Sequence, residues 1–359
     1  MQPLYILVLH AGRGGRCMGW AGLLPPVMLL LPAALLAGAA AASTNSVKLS
    51  NGVELPLLIF GTPSCGGSSA NKCSAGTADA VAAALPLGFS GIDTAAHYNN
   101  QAGVAEGLRR SGVARSSVFI GSKVEACNNS FVRLGHCYAD TKKIFMQNLA
   151  ELNTSQVDLM LLHAPTSTGG GSIVYPGFSG SPPCDCSAAQ ACSAMQEQWS
   201  AFEELYKAGK ARAIGVSNYC PACLDCLAKN SSVTPMVNQI RIHVGMDALV
   251  RPAALPAECL KRGIVPQAYS PLGSGSSLVL GAAALKSVGH THGVSTATVA
   301  LRWLAQHGIP SITSASASQT GYMKEDLAIF NWTLSDEELK HLDAGTFANE
   351  TTMKDMCTM

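Results

Sequence analysis

Four residues in the middle of the chain have side chains that transfer protons or hydrogen-bond a carbonyl group: Asp93, Tyr98, Lys123 and His163. Asp93 and Tyr98 lie within the stretch GIDTAAHYNN, whereas Lys123 and His163 end the mostly apolar runs SVFIGSK and VDLMLLH. Only 13% of the residues are charged, so ionisable groups at the ends of apolar runs need a specific reason. Their types indicate that they act as one unit.

The four side chains suit the transfer of a proton to a carbonyl oxygen. A Tyr phenol has a pKa near ~10, and a neighbouring ammonium lowers that pKa by stabilising the phenolate. Lys123 is predicted to be this neighbour, with Asp93 as the counter-ion that keeps a buried ammonium charged. His163 then donates a hydrogen bond that positions a substrate carbonyl oxygen near the Tyr98 hydroxyl. Taken singly, three of these residues also have ordinary interpretations: Asp93 as a helix cap, Lys123 as a surface lysine and His163 as a core histidine.

Eight apolar, strand-like runs alternate with helical stretches from residue 57 onward. Near-continuous apolar strands indicate burial on both faces, as in a parallel sheet covered by helices. Eight such units favour a closed (β/α)₈ TIM barrel, in which the C-terminal ends of the strands converge on one mouth. An open doubly wound sheet is the alternative, but FGTPSCGG follows the first strand where G-x-G-x-x-G is expected. The helices are predicted at residues 76–85, 104–110, 140–149, 195–207, 221–229, 252–262, 295–307 and 323–329.

Three further segments complete the predicted architecture. A β-hairpin around Asn51 and Gly52 precedes the first barrel strand, and a loop and helix extension follows the last one. Residues 165–194 are rich in Gly, Ser, Pro and Cys and are too long for a simple connection. They are a candidate substrate lid on the face where the strands end.

The N-terminal region differs in kind from the rest of the chain. Arg13 and Arg16 precede the apolar run GWAGLLPPVMLLLPAALLAGAAAAS, whose small-residue end is typical of a secretory signal peptide. An uncleaved anchor helix is the alternative, which the prolines within the run disfavour. The predicted organisation is a signal peptide at 1–42, a barrel at 43–350 and a tail at 351–359, with no stable membrane span after cleavage.

Cysteines and glycosylation motifs agree with a secretory route. Thirteen Cys are many for a cytosolic enzyme, and the twelve that follow Cys17 of the leader predict disulfides that staple loops. A redox dithiol at Cys220-Pro-Ala-Cys223 is the alternative for one local group. We expect the lumen of the endoplasmic reticulum or the cell exterior, with a plastid reached by the secretory route as the alternative. The N-x-[ST] acceptor pattern begins at Asn128, Asn153, Asn230, Asn331 and Asn349.

Charge excludes two classes of partner. The formal net charge is +1 and no run of Lys or Arg occurs, so the chain lacks an electrostatic footprint for nucleic acid or an acidic membrane surface. No His and Cys have the spacing of a zinc site, and no metal is predicted. A small-molecule carbonyl compound is the expected partner, and the chain is expected to act as a monomer.

The motifs GFSGIDTAAHY, VFIGSK, LMLLHAP, IGVSNY, VNQI and AYSPLGS together resemble the aldo-keto reductase family in order and spacing. The resemblance covers about residues 47–343. It implies a (β/α)₈ barrel that reduces an aldehyde or ketone to an alcohol with a nicotinamide cofactor, usually NADPH. The residues that match the family's catalytic tetrad are Asp93, Tyr98, Lys123 and His163, with Tyr98 as the proton donor.

The same resemblance assigns residues to the cofactor. Ser217, Asn218 and Gln239 match the groups that bind the nicotinamide carboxamide, and Tyr269 matches the aromatic ring that stacks on it. The residues that match the loop across the pyrophosphate are Ser270, Leu272 and Ser274.

The segment IPSITSASASQTGYMKEDL departs from the family pattern. Many members have a Lys and an Arg that bind the adenosine 2′-phosphate of NADPH, where this chain has Ser316 and Tyr322. Ser314 and Ser316 are expected to donate hydrogen bonds to a phosphate instead, with help from a helix N-terminus. NADPH is therefore the expected cofactor, with NADH also open. The substrate is not predicted, because Ala164 and RIHV replace the family's usual residues beside the chemistry.

Two alternatives to a carbonyl reductase stay open at this point. A non-catalytic or regulatory barrel could bind a nicotinamide nucleotide through the same residues without turnover. A Schiff-base lyase would use Lys123 as a nucleophile, although an Asp93 counter-ion that keeps Lys123 charged disfavours attack.

Overall fold

The computed structural model describes residues 45–65, 70–128, 131–166, 186, 188–246 and 254–345. The predicted signal peptide, the tail and most of the candidate lid at 165–194 lie outside these ranges. The domain boundaries drawn from the sequence therefore stay predictions.

The strands form a hairpin and a closed barrel. Strands β1 and β2 of the hairpin are antiparallel, with Val47 opposite Leu55. The other eight strands are parallel, and the ring closes where the last strand pairs with the first. The strands are β1 Ser46–Lys48, β2 Glu54–Pro56, β3 Leu58–Gly61, β4 Gly91–Asp93, β5 Phe119–Val124, β6 Val157–Leu162, β7 Ala211–Ser217, β8 Val237–Arg241, β9 Val265–Tyr269 and β10 Ser311–Thr313. The predicted (β/α)₈ barrel with its N-terminal hairpin is confirmed.

Helices alternate with the barrel strands along the chain. They are α1 Ala70–Leu87, α2 Gln101–Ser111, α3 Cys137–Glu151, α4 Ala189–Lys207, α5 Pro221–Ala228, α6 Leu255–Lys261, α7 Ser277–Leu280, α8 Ala283–His292, α9 Thr296–Gln306, α10 Thr320–Leu327 and α11 Asp336–Asp343. Helix α8 is absent from the sequence predictions because its buried side consists only of Leu285, Val288 and Gly289, a short stripe with a poor helix former. Within the described ranges, no helix has the length and apolar composition needed to cross a membrane.

Two apolar cores hold the barrel together. The outer core includes Trp199, Phe202 and Trp303 and lies between the strands and the helices. The inner core combines Leu55 of the hairpin with strand residues such as Leu161, which faces the opposite side from its outer-core neighbours because side chains alternate along a strand. The hairpin therefore fills the end of the barrel where the strands begin, and the opposite end is left for the polar residues.

Disulfides staple the loops and helices, as the cysteine content predicts. Cys220 is disulfide-bonded, and Cys223 of the same Cys-Pro-Ala-Cys motif is bonded to Cys186, so the alternative of a redox dithiol within that motif is wrong. Cys259 is buried and free. The four disulfides with both partners in the described ranges are Cys65–Cys73, Cys127–Cys137, Cys186–Cys223 and Cys192–Cys226.

Candidate active site

Asp93 and Lys123 form a buried ion pair at the C-terminal ends of neighbouring strands. Asp93 is the last residue of β4, and Lys123 precedes the last residue of β5. Lys123 Nζ donates to Asp93 Oδ1 at 2.5 Å and to the main-chain oxygen of Thr94 at 2.9 Å. The two side chains are 1% and 7% exposed, so the pair is shielded from solvent.

Tyr98 and His163 complete the predicted group of four. Tyr98 ends a short 3₁₀ turn, Ala96–Tyr98, which begins three residues after β4. Lys123 Nζ lies 5.0 Å from the centre of the Tyr98 ring. The rings of Tyr98 and His163 meet edge to face, with their centres 5.7 Å apart. The structure therefore places all four predicted residues at the same mouth of the barrel.

Burial and charge together set the protonation of this group. Burial alone lowers the pKa of Lys123, but the charges and hydrogen bonds of Asp93 and Tyr98 outweigh it and raise that pKa. Burial is also the largest influence on Tyr98, and it raises the phenol pKa although the Lys123 charge lowers it. The expectation of an unusually acidic phenol is thus wrong, because desolvation of a buried phenolate outweighs its stabilisation by one ion-paired ammonium.

Glu125 is a member of the site that the sequence predictions missed. Its Oε1 atom lies 2.7 Å from Nδ1 of His163, and both side chains are buried. Burial alone raises the pKa of Glu125, but the charge and hydrogen bond of His163 reverse the direction and lower it, so the carboxylate is ionised. The sequence signal that could have identified Glu125 is its spacing. Glu125 follows Lys123 by two residues, and residues two apart on an extended chain face the same side.

A cavity of about 350 Å³ opens between these residues and the predicted nicotinamide site. We call it the catalytic cavity. It is lined by Thr62, Ser64, Asp93, His97, Tyr98, His163, Ser217, Asn218, Gln239, Tyr269, Ser270 and Ile312. Lys123 lies behind this surface, in contact with Asp93, and Leu272 and Ser274 lie further along the loop after β9.

The predicted nicotinamide-binding side chains are joined by hydrogen bonds. Asn218 Nδ2 donates to Ser217 Oγ at 2.9 Å, and Ser217 Oγ donates to the main-chain oxygen of Gln239 at 2.8 Å. The Tyr269 hydroxyl donates to Asn218 Oδ1 at 2.9 Å, which fixes the edge of the aromatic ring. One wall of the cavity is therefore a fixed set of amides and a hydroxyl beside an aromatic ring.

Gln239 connects this wall to the ion pair of Asp93 and Lys123. Its Nε2 atom donates to Asp93 Oδ2 at 3.0 Å and to Gln267 Oε1 at 3.0 Å. The two oxygens of the Asp93 carboxylate thus accept from Lys123 on one side and from Gln239 on the other. The ion pair and the amide wall are held in one arrangement by a shared carboxylate.

Unusual backbone conformations occur at three of the predicted cofactor residues. Asn218, Ser270 and Ser274 have φ values of 62°, 50° and 57°, in the left-handed region. Asn tolerates this region, whereas for Ser it costs about 1–2 kcal/mol. Such strain persists where the surrounding structure enforces it, which is common at ligand-binding loops.

Ser314 and Ser316 line a separate cavity. This second cavity measures about 420 Å³, lies between the loop after β10 and the start of α1, and shares Thr62 with the catalytic cavity. Ser316 Oγ is bonded to Gln319 Oε1 at 2.9 Å, so the hydroxyl already has an acceptor. Tyr322, at the position of the family's Arg, is 60% exposed. The two serines are therefore close to the catalytic cavity without being part of it.

Comparisons with known proteins decide the family. The sequence profile of the Aldo/keto reductase family matches residues 57–345. The chain belongs to this family. It is 34% identical over 300 residues to glyoxal reductase from Bacillus subtilis (strain 168), covering 84% of this chain and 92% of that protein. It is 32% identical over 308 residues to morphine 6-dehydrogenase from Pseudomonas putida, covering 83% and 90%.

A solved structure agrees with the fold of this aldo/keto reductase. The crystal structure of an aldo/keto reductase from Brucella melitensis superposes with a TM-score of 0.66 at 29% identity, covering 83% of this chain and 98% of that chain. The family membership predicted from the motifs is thus confirmed, and the chain is a member of an oxidoreductase family.

Proposed function

We propose that this aldo/keto reductase reduces an aldehyde or ketone to an alcohol with a reduced nicotinamide dinucleotide, and that Tyr98 donates the proton. The observation that supports this most directly is the catalytic cavity itself. Tyr98 and His163 line it together with Asn218 and Gln239, so a phenol, an imidazole and two amide groups border one space. A proton donor and a binding wall for a planar amide-bearing ring therefore face the same space.

The residues present fit a nicotinamide. The side-chain oxygens of Asn218, Gln239 and Ser217 are acceptors for the NH₂ group of a carboxamide, because the N–H and O–H groups of these residues already donate within the protein. Tyr269 offers an aromatic face for a flat heterocycle. When bound, the reduced nicotinamide supplies the hydride. The loop with Ser270, Leu272 and Ser274 would hold the pyrophosphate, and Ser314 and Ser316 in the second cavity would contact an adenosine phosphate.

The chain's own residues then handle the substrate oxygen and the proton. The Glu125 carboxylate accepts from Nδ1–H of His163, and in the imidazolium form the ring also donates its Nε2–H to the substrate carbonyl oxygen and orients it. Tyr98, whose raised pKa keeps the phenol protonated at neutral pH, gives its proton to that oxygen as the alcohol forms. The Lys123 ammonium stabilises the phenolate left behind, and Asp93 keeps Lys123 positioned for this role.

The charge of Lys123 argues against the Schiff-base alternative. An ammonium has no lone pair for attack on a carbonyl, and the pKa of Lys123 is raised by Asp93 and Tyr98 despite its burial. Borohydride treatment with an aldehyde substrate is expected to leave Lys123 unmodified, as judged by peptide mass spectrometry.

NADPH is the proposed cofactor, and the secretory pathway is the proposed location. The Ser314 hydroxyl, and that of Ser316 once it leaves Gln319, are compatible with a phosphate, and NADH is the alternative because no Lys or Arg occupies the positions of Ser316 and Tyr322. Disulfides are typical of proteins that fold in an oxidising compartment, which supports the predicted signal peptide and glycosylation. A mobility shift after endoglycosidase treatment of the expressed protein tests both of these predictions.

The decisive experiment combines binding and turnover. The purified protein is titrated with NADPH and NADH by fluorescence, and turnover is measured on a panel of aldehydes and ketones. Binding of at least one dinucleotide with turnover that is lost in Tyr98→Phe is the expected result. Absence of binding would contradict the proposal, and binding without turnover on any carbonyl compound would favour the regulatory alternative.

A further inference from the structure

The loop between β3 and α1 is bonded directly to the segment that contains Tyr98. The main-chain N–H of Cys65 donates to the main-chain oxygen of Tyr98 at 3.1 Å. Asn100 Nδ2 donates to the main-chain oxygen of Pro63 at 2.8 Å. The C-terminal end of the Tyr98 turn and the residue two positions beyond it are therefore held by residues 63–65 of this loop.

Cys65 is in turn fixed by its disulfide to Cys73. Cys73 lies in the first turns of α1, and further along this helix Val81 and Ala84 are fully buried in the outer core. The disulfide thus ties the loop that holds Tyr98 to an element anchored in the core. Hydrogen bonds with Tyr98 and Asn100, and from Thr62 to the main-chain oxygen of Asp93, also hold the N-terminal part of the loop, and the disulfide adds the covalent tie to α1.

Helix α2, which begins three residues after Tyr98, packs very closely on the same part of α1. A Cβ atom on Gly103 would overlap the main-chain oxygen of Ser74, the residue after Cys73. A Cβ atom on Gly107 would lie 2.7 Å from the main-chain oxygen of Ala78, so this contact also requires glycine. The Tyr98 segment is therefore tied to α1 in two ways, by close packing through α2 and by the disulfide through Cys65.

We propose that the Cys65–Cys73 disulfide is a positioning element for Tyr98, and that its reduction by a dithiol lowers catalytic activity reversibly. This inference rests on the proposed function, in which Tyr98 donates the proton. In the reduction, the dithiol gives two electrons and two protons, the Sγ–Sγ bond breaks to two thiols, and the dithiol becomes a disulfide. Cys73 lines the second cavity and is only partly buried, so a small dithiol has a route to it.

The kinetic consequence follows from what the disulfide touches. Displacement of a catalytic group by about 1 Å costs on the order of 100-fold in rate. His163 and the amide wall are on other strands, so substrate orientation is retained when the loop is released. We therefore expect kcat to fall about 10-fold or more, whereas KM for the aldehyde changes by less than about 3-fold.

The Cys192–Cys226 disulfide provides a matched control. It joins α4 to α5 and spans a sequence separation of 34, against 8 for Cys65–Cys73. A disulfide that closes a longer loop restricts the unfolded chain more, so its removal releases more chain entropy in the unfolded state. On this chain-entropy argument, loss of Cys192–Cys226 costs at least as much stability as loss of Cys65–Cys73. Neither Cys192 nor Cys226 lines the catalytic cavity. A general loss of stability would therefore affect the control variant at least as strongly.

The test compares C65A/C73A with C192A/C226A in the full-length protein. Hydrogen exchange is measured on the peptide that covers residues 94–101, alongside kcat and KM. The expected result is faster exchange and a lower kcat in C65A/C73A only. Unchanged exchange in that variant, or an equal kcat loss in both variants, would overturn the proposal. Because hydrogen exchange needs no turnover, this readout still tests whether the Cys65–Cys73 disulfide positions the Tyr98 segment if the chain reduces no carbonyl compound at all.

A second measurement covers the case in which C65A/C73A does not fold. The unmodified protein is titrated with dithiothreitol, and thiol labelling with mass spectrometry reports which disulfide has opened. Activity and exchange protection should be lost as Cys65–Cys73 opens and should return on reoxidation. Activity that persists after this disulfide has opened, or that follows the opening of another one, would contradict the inference.

Discussion

The Nδ1 atom of His163 and the Oε1 atom of Glu125 are 2.7 Å apart, and neither side chain is more than 5% exposed. This contact fixes the imidazole ring that we assign to the substrate oxygen. Glu125→Gln retains the shape and a hydrogen-bonding group but removes the negative charge beside the ring. We expect kcat/KM for aldehyde reduction to fall about 10-fold, which corresponds to about 1.4 kcal/mol of transition-state stabilisation. Wild-type activity in this variant would exclude Glu125 from the mechanism.

The same pair predicts an acid-dependent loss of stability. The pKa of Glu125 is lowered in the folded protein, because the charge and hydrogen bond of His163 outweigh its burial. A carboxyl group whose pKa is lowered in the folded protein stabilises the fold at pH values above its unfolded-state pKa of about 4.3. This contribution is lost as the pH falls through the folded pKa. Acidification below about pH 4 should therefore destabilise the wild type more than Glu125→Gln, as measured by urea unfolding. Parallel pH profiles for the two proteins would contradict this.

The raised pKa of Tyr98 predicts the pH profile of reduction. Because burial keeps the phenol protonated, kcat should not decline through loss of this proton until the pH exceeds the ordinary Tyr value near ~10. An acidic phenol would instead give a decline between about pH 7 and 9. Tyr98→Phe should lower kcat by about 10²- to 10⁴-fold without preventing dinucleotide binding. The measurement is kcat against pH for both proteins, with fluorescence titration of the cofactor.

Asp326 predicts a second effect of pH on the free energy of unfolding, opposite in direction to that of Glu125. Its side chain is 6% exposed and accepts a hydrogen bond from Thr313 Oγ1 at 2.8 Å. Burial raises the pKa of Asp326 to about 6, so between about pH 4 and 6 the native state binds a proton that the unfolded state has lost. The free energy of unfolding therefore decreases as the pH rises through this window.

Asp326→Asn removes this ionisable group and keeps an oxygen that accepts from Thr313. We expect the free energy of unfolding to increase by about 1–3 kcal/mol near pH 7.5 and to change little near pH 4. Urea unfolding at the two pH values measures the difference. A variant whose effect is the same at both values would show that burial does not perturb this carboxyl group.

Asp158 lies near the start of β6, away from the catalytic mouth, and its prediction concerns stability alone. It is 4% exposed and accepts hydrogen bonds at 2.8 Å from Arg115, Arg212 and the main-chain N–H of Ile120. Asp158→Ala removes the buried acceptor that these three donors share, so the free energy of unfolding should fall by about 3 kcal/mol at unchanged kcat. The control is Asp225→Ala, which removes an exposed pair with Arg262 and should cost less than about 1 kcal/mol. Equal losses in both variants would contradict the expected dependence on burial.

The barrel and the meeting of Asp93, Lys123 and His163 at one mouth were predictable, because the local signals at the strand ends agree with the geometry of the fold. In a chain with few charges, Asp93, Lys123 and His163 stand out at the ends of apolar strands, and barrel geometry brings such ends together. The pairing of Glu125 with His163 was not predictable, because it depends on the relative position of two strand ends. The direction in which the pKa of Tyr98 shifts depends on how deeply the phenol is buried, and no sequence motif reports this depth.

The disulfide pairing could also be predicted from the sequence only in part. Cys65 and Cys73 are near neighbours in sequence, and their local grouping indicates a staple. Cys186 and Cys223 belong to two different local groups and meet only because the fold brings them together over 37 residues. Helix α8 was missed for a different reason, since its short apolar stripe gives too little periodicity to separate a helix from a loop.

Cofactor preference gives the last prediction, at the second cavity. Ser316 lines this cavity, and Tyr322, the third residue of α10, is exposed. Because both side chains are uncharged, neither position offers a positive charge to an adenosine 2′-phosphate. Ser316→Lys combined with Tyr322→Arg adds two cations where the family usually has them. We expect the ratio of kcat/KM for NADPH over NADH to rise about 10- to 100-fold, because charge-assisted hydrogen bonds to phosphate are strong.

The control for this double variant adds the same charge elsewhere. Ser287→Lys with Thr291→Arg places two cations on exposed positions of α8, which line neither cavity. This pair should leave the cofactor ratio within about 2-fold of the wild type, because these exposed charges line neither cavity and are screened by solvent and salt. An unchanged ratio in the first variant would mean that the phosphate does not bind near Ser316. A similar rise in both would mean that net charge, rather than placement, sets the preference.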